Sequence, residues 1–132
     1  MKIKTGIDLI EVERIKSSIE SMGDKFLMRV FTEKEIEYSS KSESHKYEHF
    51  AARFAAKEAA FKAISELLNS KYDIDYKNIE VLVDENGRPS INFVDLKDEF
   101  KDNFKKIESI DISISHIKEY AIANVVLLLK ED

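Results

Sequence analysis

The sequence predicts an α+β fold: a single compact domain over residues 1–132, in which a largely antiparallel sheet packs on a long alanine-rich helix. Three observations carry this expectation. Phe50, Phe54, Phe61, Ile64 and Leu68 recur at helical spacing, and seven alanines between Ala51 and Ala63 line most of the remaining surface. A helix that is apolar or small nearly all round belongs at the centre of a domain. Ile110, Ile112 and Ile114 alternate with polar residues, as in a half-buried strand, and Tyr120–Leu129 is more continuously apolar, as in a better covered one. Helices and strands also follow no strict alternation, which disfavours a parallel, doubly wound sheet.

The elements follow in order. Met1–Asp8 reads as a short strand. Val12, Ile15, Ile19 and Met22 then define a helix that Gly23 can stop, so Asp8 falls near a strand-to-helix junction. Thr32-Glu33-Lys34-Glu35 has the pattern of a capping box, and a short helix follows to Tyr38. Ser39–Glu48 is polar and reads as a loop, with His45 and His49 solvated in or beside it. The long helix occupies Phe50–Leu68. Ile79–Val83 and Ile91–Val94 read as strands joined at Asn86-Gly87-Arg88-Pro89, because Asn-Gly tolerates the positive φ of a tight turn. Leu96, Phe100 and Phe104, spaced by four, predict a further amphipathic helix before the last two strands.

Composition removes several function classes. With no cysteine there is no disulfide scaffold, zinc-thiolate site, iron–sulfur cluster or cysteine nucleophile, which is compatible with a reducing, cytoplasmic setting. A net charge of −5 argues against a general nucleic-acid binder. The longest apolar stretch, Val125–Leu129, is too short to span a bilayer, and Asp8, Glu11 and Glu13 interrupt any leader-like segment. The expectation is a soluble protein that takes neither nucleic acid nor membrane as a partner.

Four features exceed what such a fold requires. Lys57 falls inside the apolar stripe of the long helix, where an unpaired ammonium is costly. It either snorkels to the surface, pairs with a neighbour or marks a site. Lys57→Met is expected to leave folding intact or improve it. Glu58 and Lys62, four apart on one helix face, would be an ordinary surface pair but for Ala51, Ala55 and Ala59, which leave room for a ligand or another backbone. Asp8, in the apolar setting Gly6-Ile7-Asp8-Leu9-Ile10, can cap a helix or hold a metal. Magnesium takes one or two protein carboxylates and completes its shell with water and phosphates. In Ser113-Ile114-Ser115-His116 the period of two puts both serines on one face and His116 on the other or in the turn. That alone makes a polar strand face, since a dyad is defined by geometry.

Read together, these segments resemble the holo-acyl-carrier-protein synthase family of phosphopantetheinyl transferases, in its small trimeric branch. The resemblance is carried by Gly6-Ile7-Asp8 with Arg14-Ile15, by Phe31-Thr32-Glu33-Lys34-Glu35, and by Arg53-Phe54-Ala55-Ala56-Lys57-Glu58-Ala59-Ala60-Phe61-Lys62-Ala63. Asn86-Gly87-Arg88-Pro89, Ser113-Ile114-Ser115-His116 and Tyr120-Ala121-Ile122-Ala123 complete it, in order and over nearly the whole chain. It implies a homotrimer with coenzyme A held between adjacent subunits. It also implies transfer of the 4'-phosphopantetheine group from coenzyme A to a serine of apo-acyl carrier protein, leaving adenosine 3',5'-bisphosphate, in fatty acid biosynthesis. Asp8 and Glu58 match the magnesium ligands, and Lys62 matches the lysine facing the phosphates. Gly87, Arg88, Pro89, Ser115 and His116 match segments lining the coenzyme A site. Glu58 or a metal-bound water would accept the serine proton, and Glu58 and Lys62 are the catalytic candidates. The alternative is a non-catalytic coenzyme A or nucleotide-binding module. Relatives carry a Gly-Thr-Gly stretch soon after the lysine helix; Ile64–Ser70 contains no glycine, and the helix is expected to run longer.

The acyl carrier proteins of this family are strongly acidic, so a chain of net charge −5 needs a local basic surface to receive one. Between Arg14 and Arg29 four basic residues face two acidic ones. Arg14, Lys25 and Arg29 are the candidate docking residues.

Overall fold

The structure, a computed structural model, describes residues 1–131. Strand β1 (Lys2–Glu11) leads into helices α1 (Val12–Met22), α2 (Asp24–Val30), α3 (Glu33–Ser40) and α4 (Lys46–Ala63). A hairpin, β2 (Ile79–Val83) and β3 (Pro89–Phe93), helix α5 (Asp98–Phe104) and strands β4 (Ile107–His116) and β5 (Tyr120–Leu129) follow. The main sheet is antiparallel in the order β1-β5-β4, and β2-β3 forms a separate two-stranded unit. Alanine-rich α4 lies across the inner face of the main sheet, so the α+β architecture expected from the sequence is the one observed.

The alanine face of α4 meets the sheet, and of the helix's phenylalanines only Phe50 is fully buried. Ala51, Ala55, Ala56, Ala59 and Ala63 are buried, whereas Phe54 and Phe61 are only half-buried. The room left by the small side chains is taken by backbone. A Cβ on Gly6 of β1 would stand 1.9 Å from the carbonyl oxygen of Ala59 and 2.9 Å from the amide nitrogen of Ala63. Strand and helix approach this closely because both lack bulk at the crossing.

Several boundaries differ from expectation. β1 continues to Glu11, so Asp8 lies within the strand, opposite Ala123 of β5. Beyond Gly23, whose positive φ of 56° ends α1, the chain forms the extra helix α2, whose seven residues are too few for a clear periodic pattern. The capping box at Thr32 and Glu35 is present. The expected loop shrinks, because α3 runs to Ser40 and α4 starts at Lys46. α4 stops at Ala63, and a 3-10 turn over Ser65–Leu67 follows, with Ile64 and Leu67 buried in the core.

Lys57 is wholly buried, with 0% of its side chain exposed, and so is its partner Glu35. The Lys57 ammonium donates to Glu35 Oε1 (2.8 Å) and to the carbonyls of Tyr76 (2.9 Å) and Ile79 (2.5 Å), using its three donors. Glu35 also accepts from the amides of Thr32 (2.7 Å) and Val81 (2.8 Å). One carboxylate thus caps α3, anchors β2 and neutralises Lys57. Burial pulls Lys57 below its ordinary pKa and Glu35 opposes the shift.

Candidate functional site

The alternation of β1 places Gly6 and Asp8 on the same face, so the contact that brings Gly6 against α4 also turns Asp8 toward the helix. There Lys62 Nζ donates to the carbonyl of Ile7 (2.8 Å) and lies 3.4 Å from Asp8 Oδ1. Asp8 is 18% exposed and Lys62 55% exposed, so the lysine stem is free to follow a ligand while the aspartate is fixed. Burial raises the Asp8 carboxyl above its ordinary pKa; Lys62 opposes this, and the Glu58 charge adds to it.

Glu58 lies one turn before Lys62 on α4, and its Oε1 accepts a hydrogen bond from the Tyr76 hydroxyl. Burial, then the bond to Glu58, keeps the Tyr76 phenol well above its ordinary pKa and therefore a donor. Glu58 and Lys62 line a groove of about 1020 Å³ between α2, α4 and the segment 68–77, with Met28, Arg29, Phe61 and Tyr72 among its walls. The groove thus combines charged side chains, Glu58 and Lys62 with Arg29, Lys71 and Lys77, with the apolar Met28, Phe61 and Leu68, a lining suited to a ligand that carries both phosphate and neutral parts.

Asp8 and Glu58 are the two carboxylates here that could hold a divalent cation. Both lie near Lys62, Asp8 at 3.4 Å from its Nζ and Glu58 one turn before it on α4, and the Glu58 charge is felt at Asp8, after burial and Lys62. Among the described residues no group of three or more His, Asp or Glu side chains is gathered as a metal cage. Substrate phosphates and water would have to supply the remaining ligands.

The other candidates lie elsewhere on the chain. Gly87 sits at φ 79° in an exposed turn, where Asp84 Oδ1 accepts from the amides of Asn86 (2.8 Å) and Arg88 (2.9 Å). Arg88 is exposed, Pro89 begins β3, and none of the three lines the groove. Ser113 and Ser115 face outward, opposite Asn124 and Ile122. His116, on the opposite face, donates from Nδ1 to Glu48 Oε1 (3.0 Å), and His45 donates to Glu48 Oε2 (3.0 Å). His49 is not solvated as expected: its ring packs against Tyr38 and His116, with a buried Nδ1 that has no partner among the described residues. Arg14, Lys25 and Arg29 are exposed on α1 and α2, and Arg29 reaches the groove wall.

Sequence reading missed Tyr76 and Glu48. Tyr76 stands in a stretch without periodicity, and Glu48 in what read as a loop. Each becomes recognisable only when the fold brings it to a residue from another element, Glu58 for the first and His116 for the second.

Comparison with known proteins shows which family the chain resembles over nearly its whole length. Residues 4–125 match the sequence pattern of the 4'-phosphopantetheinyl transferase superfamily. The chain is 44% identical over 122 residues to the holo-acyl-carrier-protein synthase of Thermodesulfovibrio yellowstonii, covering 92% of this chain and 95% of that protein. It is 40% identical over 129 residues to that of Ruminiclostridium cellulolyticum, covering 98% and 94%. The crystal structure of Helicobacter pylori holo-acyl-carrier-protein synthase in complex with coenzyme A superposes with a TM-score of 0.78 at 31% identity, covering 94% of this chain and 99% of that one.

Proposed function

The chain belongs to the 4'-phosphopantetheinyl transferase superfamily, in its holo-acyl-carrier-protein synthase family, and we propose that it works with magnesium at Asp8 and Glu58, as a cytoplasmic homotrimer whose sites are completed between subunits. It transfers the 4'-phosphopantetheine group of coenzyme A to a serine of apo-acyl carrier protein in fatty acid biosynthesis. A new bond forms between the serine oxygen and the phosphorus nearer the pantetheine. The pyrophosphate bond breaks, and adenosine 3',5'-bisphosphate leaves with the electron pair.

The observation that carries the site assignment is the convergence of three charged side chains from two elements: Glu58 and Lys62 line the groove, and Lys62 reaches Asp8 of β1. Magnesium there would neutralise charge developing on the pyrophosphate. Asp8 and Glu58 would hold it, and Lys62 would turn its ammonium to a phosphate oxygen, as a mobile point charge can. Glu58, beside the groove, or a metal-bound water would accept the serine proton. The test is the mass of an apo-acyl carrier protein incubated with the chain, coenzyme A and magnesium. Wild type is expected to add the phosphopantetheine mass. Asp8→Ala and Glu58→Ala are each expected to lose about 10²-fold or more in rate while remaining folded. Coenzyme A binding without any mass gain would instead support a non-catalytic binding module.

Two observations support assembly. Gly87, Arg88, Pro89, Ser115 and His116 do not line the groove of their own chain, so their proposed role toward coenzyme A requires a neighbouring copy. The outer face of the main sheet also carries Ile3, Ile7, Leu9 and Val126 in the open, an apolar patch of the kind that marks an interface. Arg14, Lys25 and Arg29 are proposed to receive the acidic carrier protein, since all three are exposed, Arg29 lines the groove, and none forms an ion pair among the described residues. The cytoplasmic assignment rests on the absence of cysteine and on the pathway; among the described residues no helix is long and apolar enough to cross a membrane.

A further inference from the structure

We infer that Tyr76 is a positioning residue for Glu58: its hydroxyl, held in place by a backbone tether to the buried Lys57–Glu35 pair, sets the direction in which the Glu58 carboxylate faces a bound divalent cation. The inference rests on the reading of Glu58 as a metal ligand.

Among the described residues the Tyr76 hydroxyl is the one hydrogen-bond partner of the Glu58 side chain, and no ion pair holds that carboxylate. A glutamate has three side-chain torsions, so an unassisted carboxylate at the edge of a groove samples several rotamers. A donor on Oε1 selects among them and leaves Oε2 for a metal. The donor itself is held from several sides. The Tyr76 ring packs against Phe54 (5.5 Å between centroids) and edge-on to Phe61 (5.4 Å), both on α4. Its carbonyl accepts from Lys57 Nζ, and the turn it begins is closed by Asp75 and Asn78, each of whose amides bonds the other residue. Lys57 and Glu58 are consecutive on α4. One side of the helix therefore grips the Tyr76 backbone through a fully buried ion pair, while the next residue receives its hydroxyl. This assigns the buried pair a task toward the site beyond stability: it fixes where segment 76–79 lies on α4.

The test compares wild type, Tyr76→Phe, Glu58→Gln and the double variant, each saturated with coenzyme A and kept well below its melting temperature. Mn²⁺ serves as the probe, and electron paramagnetic resonance of the free ion reads its affinity. Tyr76→Phe keeps the ring between Phe54 and Phe61 and removes only the hydroxyl. It is expected to weaken Mn²⁺ binding about 10- to 100-fold, as loss of an outer partner to a metal ligand does. Glu58→Gln is expected to weaken it at least as much. Adding Tyr76→Phe to Glu58→Gln is expected to cost nothing further, because the hydroxyl acts through that carboxylate. Wild-type affinity in Tyr76→Phe beside a weakened Glu58→Gln overturns the inference and leaves the ligand assignment standing. Additive losses in the double variant overturn it too, since the tyrosine would then act independently of Glu58. Wild-type affinity in Glu58→Gln overturns the ligand assignment itself.

Discussion

Replacing Lys57 with methionine would leave the Glu35 carboxylate buried without its counter-charge and the carbonyls of Tyr76 and Ile79 without their donor. The sequence alone suggested that removing a charge from an apolar stripe would be harmless. The structure reverses that sign, because breaking one half of a buried pair costs about 3–5 kcal/mol. Urea denaturation of Lys57→Met should show a loss of this size, and a second substitution, Glu35→Leu, should recover part of it. His49 supplies the pH-dependent counterpart. Burial, followed by the charge of Arg53, lowers its pKa below the ordinary histidine value of 6.5. The unfolded chain therefore binds a proton that the folded chain does not, and stability is lost as pH falls from 6.5 through the depressed value. His49→Phe keeps a ring against Tyr38 and His116 and has nothing to protonate. Its melting temperature should decline less steeply than that of wild type on acidification below pH 6.5, while the loss from Glu48, whose pKa is lowered by His45 and His116, remains at lower pH. Parallel profiles for the two proteins would remove His49 as the source.

At the scale of elements, the contact between β1 and α4 governs both packing and site. Gly6 permits it, and two residues later the strand delivers Asp8 to the same helix. Gly6→Ala puts a methyl group 1.9 Å from the Ala59 carbonyl, an atom of a helix backbone that cannot move without displacing α4. The expected outcome is a melting temperature lowered by far more than an ordinary surface substitution produces, with turnover reduced even in whatever fraction stays folded. Circular dichroism and activity measured together would show it; a wild-type melting curve would mean that strand and helix do not meet this closely. The glycine-free segment after α4 forms part of the groove wall. A 3-10 turn ends the helix, and Asp73 Oδ2 then accepts from the amides of Asn69 (2.8 Å) and Ser70 (3.2 Å), closing the loop that forms one wall.

For the whole molecule, the open face of the main sheet and the acidic net charge set the two remaining expectations. Ile7 and Leu9 are 57% and 62% exposed at the centre of the apolar face. Leu9→Lys should yield a folded monomer of low activity by light scattering and circular dichroism, whereas a wild-type chain that is a stable, fully active monomer would end the trimer proposal. The net charge of −5 repels an acidic partner at long range, so the exposed Arg14, Lys25 and Arg29 must act locally, within a screening length of about 8 Å at physiological salt. Arg14→Glu should raise KM for the carrier protein and flatten its salt dependence, leaving coenzyme A affinity unchanged. Equal salt slopes for both proteins would place docking elsewhere.

Local pattern was enough for the fold class, the capping box at Thr32, the central alanine-rich helix, the alternation of β4 and the candidacy of Asp8, Glu58 and Lys62. Each depends on residues within a few positions of one another, or on motifs that survive as short strings. Other features needed the folded chain. The alanine face of α4 turned out to be a seat for Gly6, Lys57 to be paired with Glu35 from α3, and Glu58 to be held by Tyr76, 18 residues on. None of these partners is near the other in sequence. A side chain's periodicity states which face it occupies, whereas its charge balance and hydrogen bonds depend on what another segment brings to that face, and only the tertiary structure decides that.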